Sequence, residues 1–230
     1  MSRMLTPRLE IFPSRVADNA RAVLQLCHSH GIQVACVGKV VCAHPDVMRT
    51  LEDCGADMLA DSRLENLAAI RKKGTNLPLM LLRIPTPSRV DEIVQVADIS
   101  LVSDSGTIGL LSNAAEKAGR THKVILMVDL GDLREGIWPD HLIESMRTVI
   151  DLPAIEVSGL GTNLACYGGV IPDTQKMLQL IALRDDAEKI LEIKLPVLCG
   201  GNSANLPRLL AGGIPPQINM LRIGESILLG

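Results

Sequence analysis

Short apolar runs alternate with amphipathic stretches along the whole chain, and the runs themselves show no in/out alternation. Near-continuous hydrophobicity of that kind is what strands covered on both faces display. Eight such runs stand at 32–38 (IQVACVG), 57–60 (DMLA), 78–82 (PLMLL), 98–102 (DISLV), 123–129 (KVILMVD), 155–160 (IEVSGL), 196–199 (PVLC) and 219–223 (NMLRI). The stretches between them predict helices at about 44–54, 62–73, 87–96, 104–118, 138–150, 173–193 and 203–211. Three carry start signals: Pro45 after His44, Asp61-Ser62 before Arg63, and Asp173-Thr174 before the long helix. One more helix precedes the first strand. Ser14 opens it, Val16, Ala20, Val23, Leu24 and Cys27 share a face, and Gly31 stops it.

Eight β/α units in unbroken alternation predict an α/β fold, a (β/α)8 TIM barrel with eight parallel strands. The helix ahead of the first strand can fill the seat between strands eight and one. A doubly wound open sheet would need no eighth strand and usually shows a G-x-G-x-x-G turn after its first, which this chain lacks. Residues 7–12 (PRLEIF) read as a further N-terminal strand with no partner inside a barrel, as if a second domain were meant to pair with it.

Length and composition narrow the function classes. The 230 residues suit one domain, and a net charge of −3 argues against a nucleic-acid footprint or a polybasic membrane anchor. One Phe, one Trp and one Tyr exclude base-stacking surfaces and aromatic-lined carbohydrate clefts, so the core must be built from Leu, Ile, Val, Met and Ala. Arg3, Arg8, Glu10 and Arg15 interrupt the start, so no targeting segment is read there. The longest charge-free run, Val157 to Pro172, is too short and polar to span a bilayer. Six cysteines without a C-x-x-C pair read as reduced thiols of a cytoplasmic protein, with Cys36 and Cys199 as small buried hydrophobes.

In a barrel, chemistry collects where strands end. Lys39 follows strand one, where an apolar barrel wall would depress its pKa and free the amine as a nucleophile; a lysine that merely snorkels its charge to the rim is the plainer reading. Strand seven ends in Cys199-Gly200-Gly201-Asn202-Ser203-Ala204-Asn205 and strand eight in Arg222-Ile223-Gly224-Glu225-Ser226. Two small-residue turns after this pair of strands suit a phosphate group, with Asn and Ser as donors at a helix start. The loops Asp129 to Gly136 and Gly159 to Gly169 complete a polar rim, and Tyr167 reads as a packing residue on it. His28, His30 and His141 fall on helices, His122 lies at the far end of the barrel, and no Ser-His-Asp triad or metal cluster is apparent.

A lysine after strand one, a phosphate cup after strands seven and eight, and an arginine on strand eight together resemble the alanine-racemase-like, fold type III pyridoxal-phosphate enzymes. The resemblance covers most of the chain, and the runs DLGDLREG, GLGTNLACYGG, GGNSANLP and LRIGESILLG look closest to the ornithine-racemase branch. It implies pyridoxal 5′-phosphate held as a Schiff base on Lys39, which would also serve as one of two racemisation bases. Arg134 would contact the cofactor's phenolic oxygen, and Asn163 would stand against the pyridine ring. Ser203 with the amides of Gly224 and Glu225 would hold the phosphate, with Gly201 and Asn202 lining the cup. Arg222 would face the pyridine nitrogen, where a permanently charged guanidinium leaves the ring a weaker electron sink than a carboxylate would. For the distal amine of ornithine, Glu135 and Asp132 are the candidate partners.

Two departures stand out. The tyrosine that alanine racemases carry four residues after the lysine is Ala43 here, and residues 1–230 cover the barrel domain but not the family's C-terminal β domain, which brings the second base across a dimer interface. The expectation is a cytoplasmic homodimeric racemase acting on a small amino acid, ornithine or another basic one, with no metal, nucleic acid or membrane involved. The alternatives are a single-domain, non-catalytic pyridoxal-phosphate carrier and a cofactor-free Schiff-base aldolase.

Overall fold

The computed structural model describes residues 9–230, and in it all eight runs form strands of one closed parallel barrel. The strands are β1 (Gln33–Val37), β2 (Met58–Asp61), β3 (Leu79–Leu81), β4 (Ile99–Val102), β5 (His122–Val128), β6 (Ile155–Thr162), β7 (Val197–Asn202) and β8 (Met220–Ile223). Each pairs with its sequence neighbour, and β1 closes on β8 through Val34 opposite Leu221 and Ala35 opposite Arg222.

The helices are α1 (Pro13–Ser29), α2 (Pro45–Asp53), α3 (Leu64–Lys72), α4 (Val90–Val96), α5 (Ser105–Lys117), α6 (Leu142–Arg147), α7 (Thr174–Leu191), α8 (Leu206–Leu210) and α9 (Glu225–Leu228). Short 3-10 turns at Pro87–Arg89, Pro139–His141 and Ser203–Asn205 take up the first part of three expected helices. Pro45 opens α2, and the Asp173 carboxylate caps α7 by accepting from the Lys176 amide at 2.7 Å. Asp61 acts one residue earlier than expected: its Oδ1 accepts from the Arg63 amide at 2.9 Å, and α3 begins after Arg63.

Burial sorts the apolar residues into two layers. Ala35, Val37, Met58, Ala60, Met80, Leu101, Ile125, Met127, Cys199 and Met220 fill the barrel interior, while Val34, Cys36, Leu59, Leu79, Leu126, Leu198 and Leu221 face the helices. Alternation along each strand therefore selects which layer a side chain enters, with both layers dry. Aliphatic residues, methionine and cysteine supply this core without any aromatic residue. Burial pushes the Cys27 thiol up to about 11 and Cys36 up to about 12, which keeps both as inert packing groups.

α1 occupies the expected seat. It packs against α2 and α9, burying Val16, Ala20, Leu24 and Cys27, while Val23 is only half-buried. Asn19 Nδ2 donates to the Ile227 carbonyl at 3.0 Å and ties α1 to α9. Of the short strand expected at 7–12, positions 7 and 8 lie outside the described residues, and 9–12 join α1 without forming a strand. No helix among the described residues is long and apolar enough to cross a membrane.

Candidate active site

A cleft of about 610 Å3 opens at the C-terminal mouth of the barrel. Lys39, Arg134, Glu135, Asn163, Cys166, Asn202, Ser203, Arg222, Gly224, Glu225 and Ser226 line it, with Val37, Leu82, Leu101, Leu206 and Leu210 as its apolar wall. Eight of the nine residues the sequence nominated thus share one cavity; Gly201 is the exception.

Arg222 forms the floor. It is the third residue of β8, its side chain points inward above Cys199 and Met220, and it is buried. Nη1 donates to the Cys199 sulfur at 2.8 Å, and Nη2 to the Thr162 carbonyl at 3.0 Å and the Asn163 side-chain oxygen at 3.3 Å. All three partners are neutral. Asn163 also receives Asn202 Nδ2 at 3.4 Å, so one carboxamide oxygen links the ends of β6, β7 and β8.

The turns after β7 and β8 meet in a small polar cup. Asn202 caps the following turn by accepting from the Ala204 amide at 3.0 Å, and donates to the Leu164 carbonyl at 2.8 Å. Both ends of that amide are committed, so Asn202 shapes the cup. Ser203 Oγ receives the Ser226 amide at 3.4 Å, which brings the two turns together. Gly224 must be glycine, because a Cβ there would lie 2.7 Å from the Val37 carbonyl oxygen. Gly201 was expected in the cup and is not: its φ is +123°, and a Cβ would meet Asn205 Nδ2 at 3.0 Å rather than the cleft. It serves the backbone of the β7 bulge between Cys199 and Asn202.

Lys39 stands on a 3-10 turn at Lys39–Val41 directly after β1, exposed on the rim. The expectation that an apolar wall encloses it does not hold, because β1 ends at Val37 and the chain has already turned outward. Ala43, where the related enzymes carry a tyrosine, is buried in the core with φ +52° and adds nothing to the cleft.

The opposite wall comes from the loops after β5 and β6. Asp132 is buried, and its carboxylate accepts from the amides of Cys166, Tyr167 and Gly168 at 3.2, 3.0 and 3.1 Å. Those three donors make Asp132 a clamp between loops, and it is buried outside the lining of the cleft, away from where a substrate amine would enter. Asp129 likewise accepts from the amides of Gly131 and Leu133 within its own turn. Glu135 faces the cleft with its Oε2 2.7 Å from Arg134 Nε, and Arg134 Nη1 donates to the Cys166 sulfur at 2.6 Å. Burial raises the Glu135 pKa, as do the nearby Asp132 and Asp129, while Arg134 and Arg222 oppose the shift.

Tyr167 is 77% exposed and packs on nothing, contrary to the reading of it as a rim packing residue. His122, at the far end of the barrel, is the first residue of β5, is buried, and shares a 2.9 Å hydrogen bond with Ser100. Of the cleft residues, the sequence reading had not singled out Leu82 and Leu101. Leu82 ends its run and Leu101 stands one residue before the end of its own, and position at the C-terminal end of a strand is the signal that would have found them.

A parallel (β/α)8 barrel with a rim lysine after β1, a buried arginine on β8 and a polar cup between the β7 and β8 turns defines a class of barrel proteins with a lysine at the mouth. The chain belongs to the family described as alanine racemase, N-terminal domain, whose model matches residues 11–230. It is 39% identical over 225 residues to the ornithine racemase of Acetoanaerobium sticklandii, covering 97% of this chain and 63% of that protein. It is also 36% identical over 227 residues to the lysine racemase of Thermotoga maritima, covering 99% and 63%. The chain thus spans less than two thirds of the length of these relatives. Among solved structures, the barrel matches an alanine racemase of Clostridium difficile 630 with TM-score 0.76 at 21% identity, over 91% of this chain and 59% of that one. PipY of Synechococcus elongatus, a structure with PLP bound, matches with TM-score 0.77 at 19% identity, over 93% and 99%. The last two likenesses speak for the fold alone.

Proposed function

We propose that this chain is the barrel of a pyridoxal-phosphate-dependent racemase of a basic amino acid, ornithine or lysine. The observation that carries the reading is the gathering of Lys39, Arg134, Asn163, Ser203, Arg222 and the Gly224–Glu225 turn around one cleft, in a chain whose ornithine- and lysine-racemase relatives align over nearly all of it.

The residues fit the cofactor. Arg222 is a buried cation whose hydrogen-bond partners are all neutral, as suits a group that meets a ring nitrogen without giving it a proton. The Ser203 hydroxyl and the Gly224 and Glu225 amides, at the edge of the cleft where the Ser226 amide ties the two turns together, are donors suited to a phosphate. Pyridoxal phosphate supplies an electron sink that makes the amino acid's Cα–H bond acidic.

The chain's own residues supply the rest. Lys39 Nζ would hold the cofactor covalently and, once the substrate's amino group has displaced it from that bond, would as a free amine take and return the proton at Cα on its own face. Arg134 would hydrogen-bond the phenolic oxygen, Asn163 would stand against the ring and Arg222 would face its nitrogen. Ser203 with the Gly224 and Glu225 amides anchors the phosphate. Assembly as a cytoplasmic homodimer, and a base on the second face from outside residues 1–230, belong to the same proposal; the length of the relatives supports the latter.

The non-catalytic carrier reading draws on PipY, whose length the chain nearly matches, but the much higher identity to the two racemases favours catalysis. The test is borohydride reduction of the protein incubated with pyridoxal phosphate, followed by peptide mapping. A pyridoxyl group on Lys39, lost in Lys39→Ala together with the visible absorbance while the fold persists, is expected. Label on any other lysine overturns the assignment.

A further inference from the structure

Two guanidinium groups share the cleft, and only one of them has an acid directly against it. Arg134 is paired through Nε with Glu135. Arg222, buried on the barrel floor, hydrogen-bonds to a thiol, a carbonyl and a carboxamide. A buried charge with neutral partners depends on opposite charge in its surroundings. The cleft-lining carboxylates are Glu135 and Glu225; Glu225 is exposed at the start of α9, whereas Glu135 is half-buried and lies in the field of both arginines.

We propose that Glu135 is a positioning residue: its carboxylate aims the Arg134 guanidinium and supplies the negative charge that lets Arg134 and Arg222 face the same cleft. The inference rests on the functional reading above. It takes Glu135 out of the role of receiver for a substrate's distal ammonium, a role that does not fall to Asp132, which is buried as a loop clamp and does not line the cleft. The geometry is one of a fixed fork. Glu135 engages Nε and Cys166 engages Nη1, so the side chain is held at both ends and the remaining N–H groups of Arg134 are presented in one direction. Losing the carboxylate frees the fork and leaves two cations beside each other.

The groups that act on Glu135 set its acid limit. Arg134 and Arg222 favour its charged form; burial, the largest influence, and the carboxylates Asp132 and Asp129 favour the neutral one. The net direction is upward, so the Arg134 clamp opens at a higher pH than an ordinary glutamate would allow.

Two measurements on the full chain test this. In the apo-protein, the side-chain Nε–H resonance of Arg134, assigned with Arg134→Lys, should be protected near neutral pH. It should disappear on acidification, and be absent in Glu135→Gln while Glu135→Asp partly restores it. In the protein loaded with pyridoxal phosphate, Glu135→Gln should bind the cofactor about tenfold more weakly, the loss of one hydrogen bond to a charged acceptor. It should also show at neutral pH the absorption spectrum that wild type shows only in acid. An Arg134 resonance indifferent to Glu135→Gln overturns the proposal, and needs no cofactor to do so. A wild type that binds no pyridoxal phosphate at the Lys39 site overturns the functional reading instead. If Glu135→Gln leaves the cofactor spectrum alone but weakens ornithine binding relative to uncharged norvaline, Glu135 reads the substrate and the positioning role is wrong.

Discussion

Arg222 Nη2 donates to the Asn163 side-chain oxygen at 3.3 Å, and through that contact β8 is fixed to the residue that follows β6, across β7. The same nitrogen serves the Thr162 carbonyl. Replacing Arg222 with Met removes this donor from both buried oxygens, leaving the Asn163 oxygen with Asn202 Nδ2 and the Thr162 carbonyl without its arginine. An unsatisfied buried acceptor costs about 1–3 kcal/mol, so the apo-protein should lose several degrees of melting temperature. Calorimetry of Arg222→Met measures this, with Arg222→Lys retaining part of the loss because a lysine can reach one oxygen but not span both. An unchanged melting temperature in Arg222→Met would mean that these contacts carry no net stability.

The cup makes a prediction about two neighbours that differ in kind. Ser203→Ala removes one hydrogen bond to a charged phosphate, roughly 1.5–3 kcal/mol, so pyridoxal phosphate should bind about ten- to a hundredfold more weakly with the fold unaltered. Gly201→Ala should do the reverse. Its φ of +123° and the approach to Asn205 strain the backbone, so the melting temperature should fall while the cofactor affinity of the folded fraction holds. Fluorescence titration beside thermal unfolding separates the two. Equal loss of affinity in both variants would place Gly201 in the cup after all.

His122 gives the molecule a pH dependence at the end of the barrel away from the cleft. Burial, with a smaller push from Arg120, lowers its pKa to about 4, against weaker upward pulls from Asp98 and the Ala97 backbone. The unfolded chain therefore takes up a proton below about 6.5 that the folded chain refuses until about 4. This contribution is fully present above pH 6.5 and is lost as the pH falls through that window, in total about 3 kcal/mol. Denaturant unfolding of wild type and His122→Gln between pH 4 and 7.5 should show the difference between them vary with pH. Parallel curves would show that His122 is free to charge in the fold.

The barrel was legible because strands covered on both faces leave continuous apolar runs, and the eight runs match β1 to β8 with ends shifted by at most three residues. Helix ends were less legible. Pro139 and the Asn202 cap turn the first residues of two expected helices into 3-10 turns, which apolar spacing does not distinguish from α-helix. Within the site, strand-end position picked out Lys39 and Arg222. What the sequence could not show was how carboxylates on the rim are spent. Asp132 and Glu135 are three residues apart in one loop, yet one faces amides 34 to 36 positions away and the other faces the cleft. Lys39 was misjudged in its surroundings for the same reason: exposure is decided by where the turn after β1 carries it.

The proposed racemisation would put the hardest demand on these residues, because the planar carbanion must be reached by a proton donor from each face. The titratable groups lining the cleft are Lys39, Arg134, Glu135, Cys166, Arg222 and Glu225. The arginines stay charged. Glu135 is bound to Arg134, and the Cys166 thiol takes a hydrogen bond from the same guanidinium. Glu225 stands exposed beside the polar cup, and Tyr167 is 77% exposed and does not line the cleft. Lys39 is thus the one group free to move a proton at Cα, and a single base can remove a proton and return it only on its own face. With pyridoxal phosphate bound, residues 1–230 should exchange the Cα hydrogen of ornithine for deuterium faster than they invert it. Inversion should run at least ~10²-fold more slowly than in a version extended by the remaining length of the racemase relatives, the low end of what a positioned general base contributes. Mass-spectrometric exchange alongside chiral chromatography gives both rates from one sample. Inversion that keeps pace with exchange would show that a second base already lies in this cleft, and Cys166→Ala with Glu135→Gln would then identify which side chain it is.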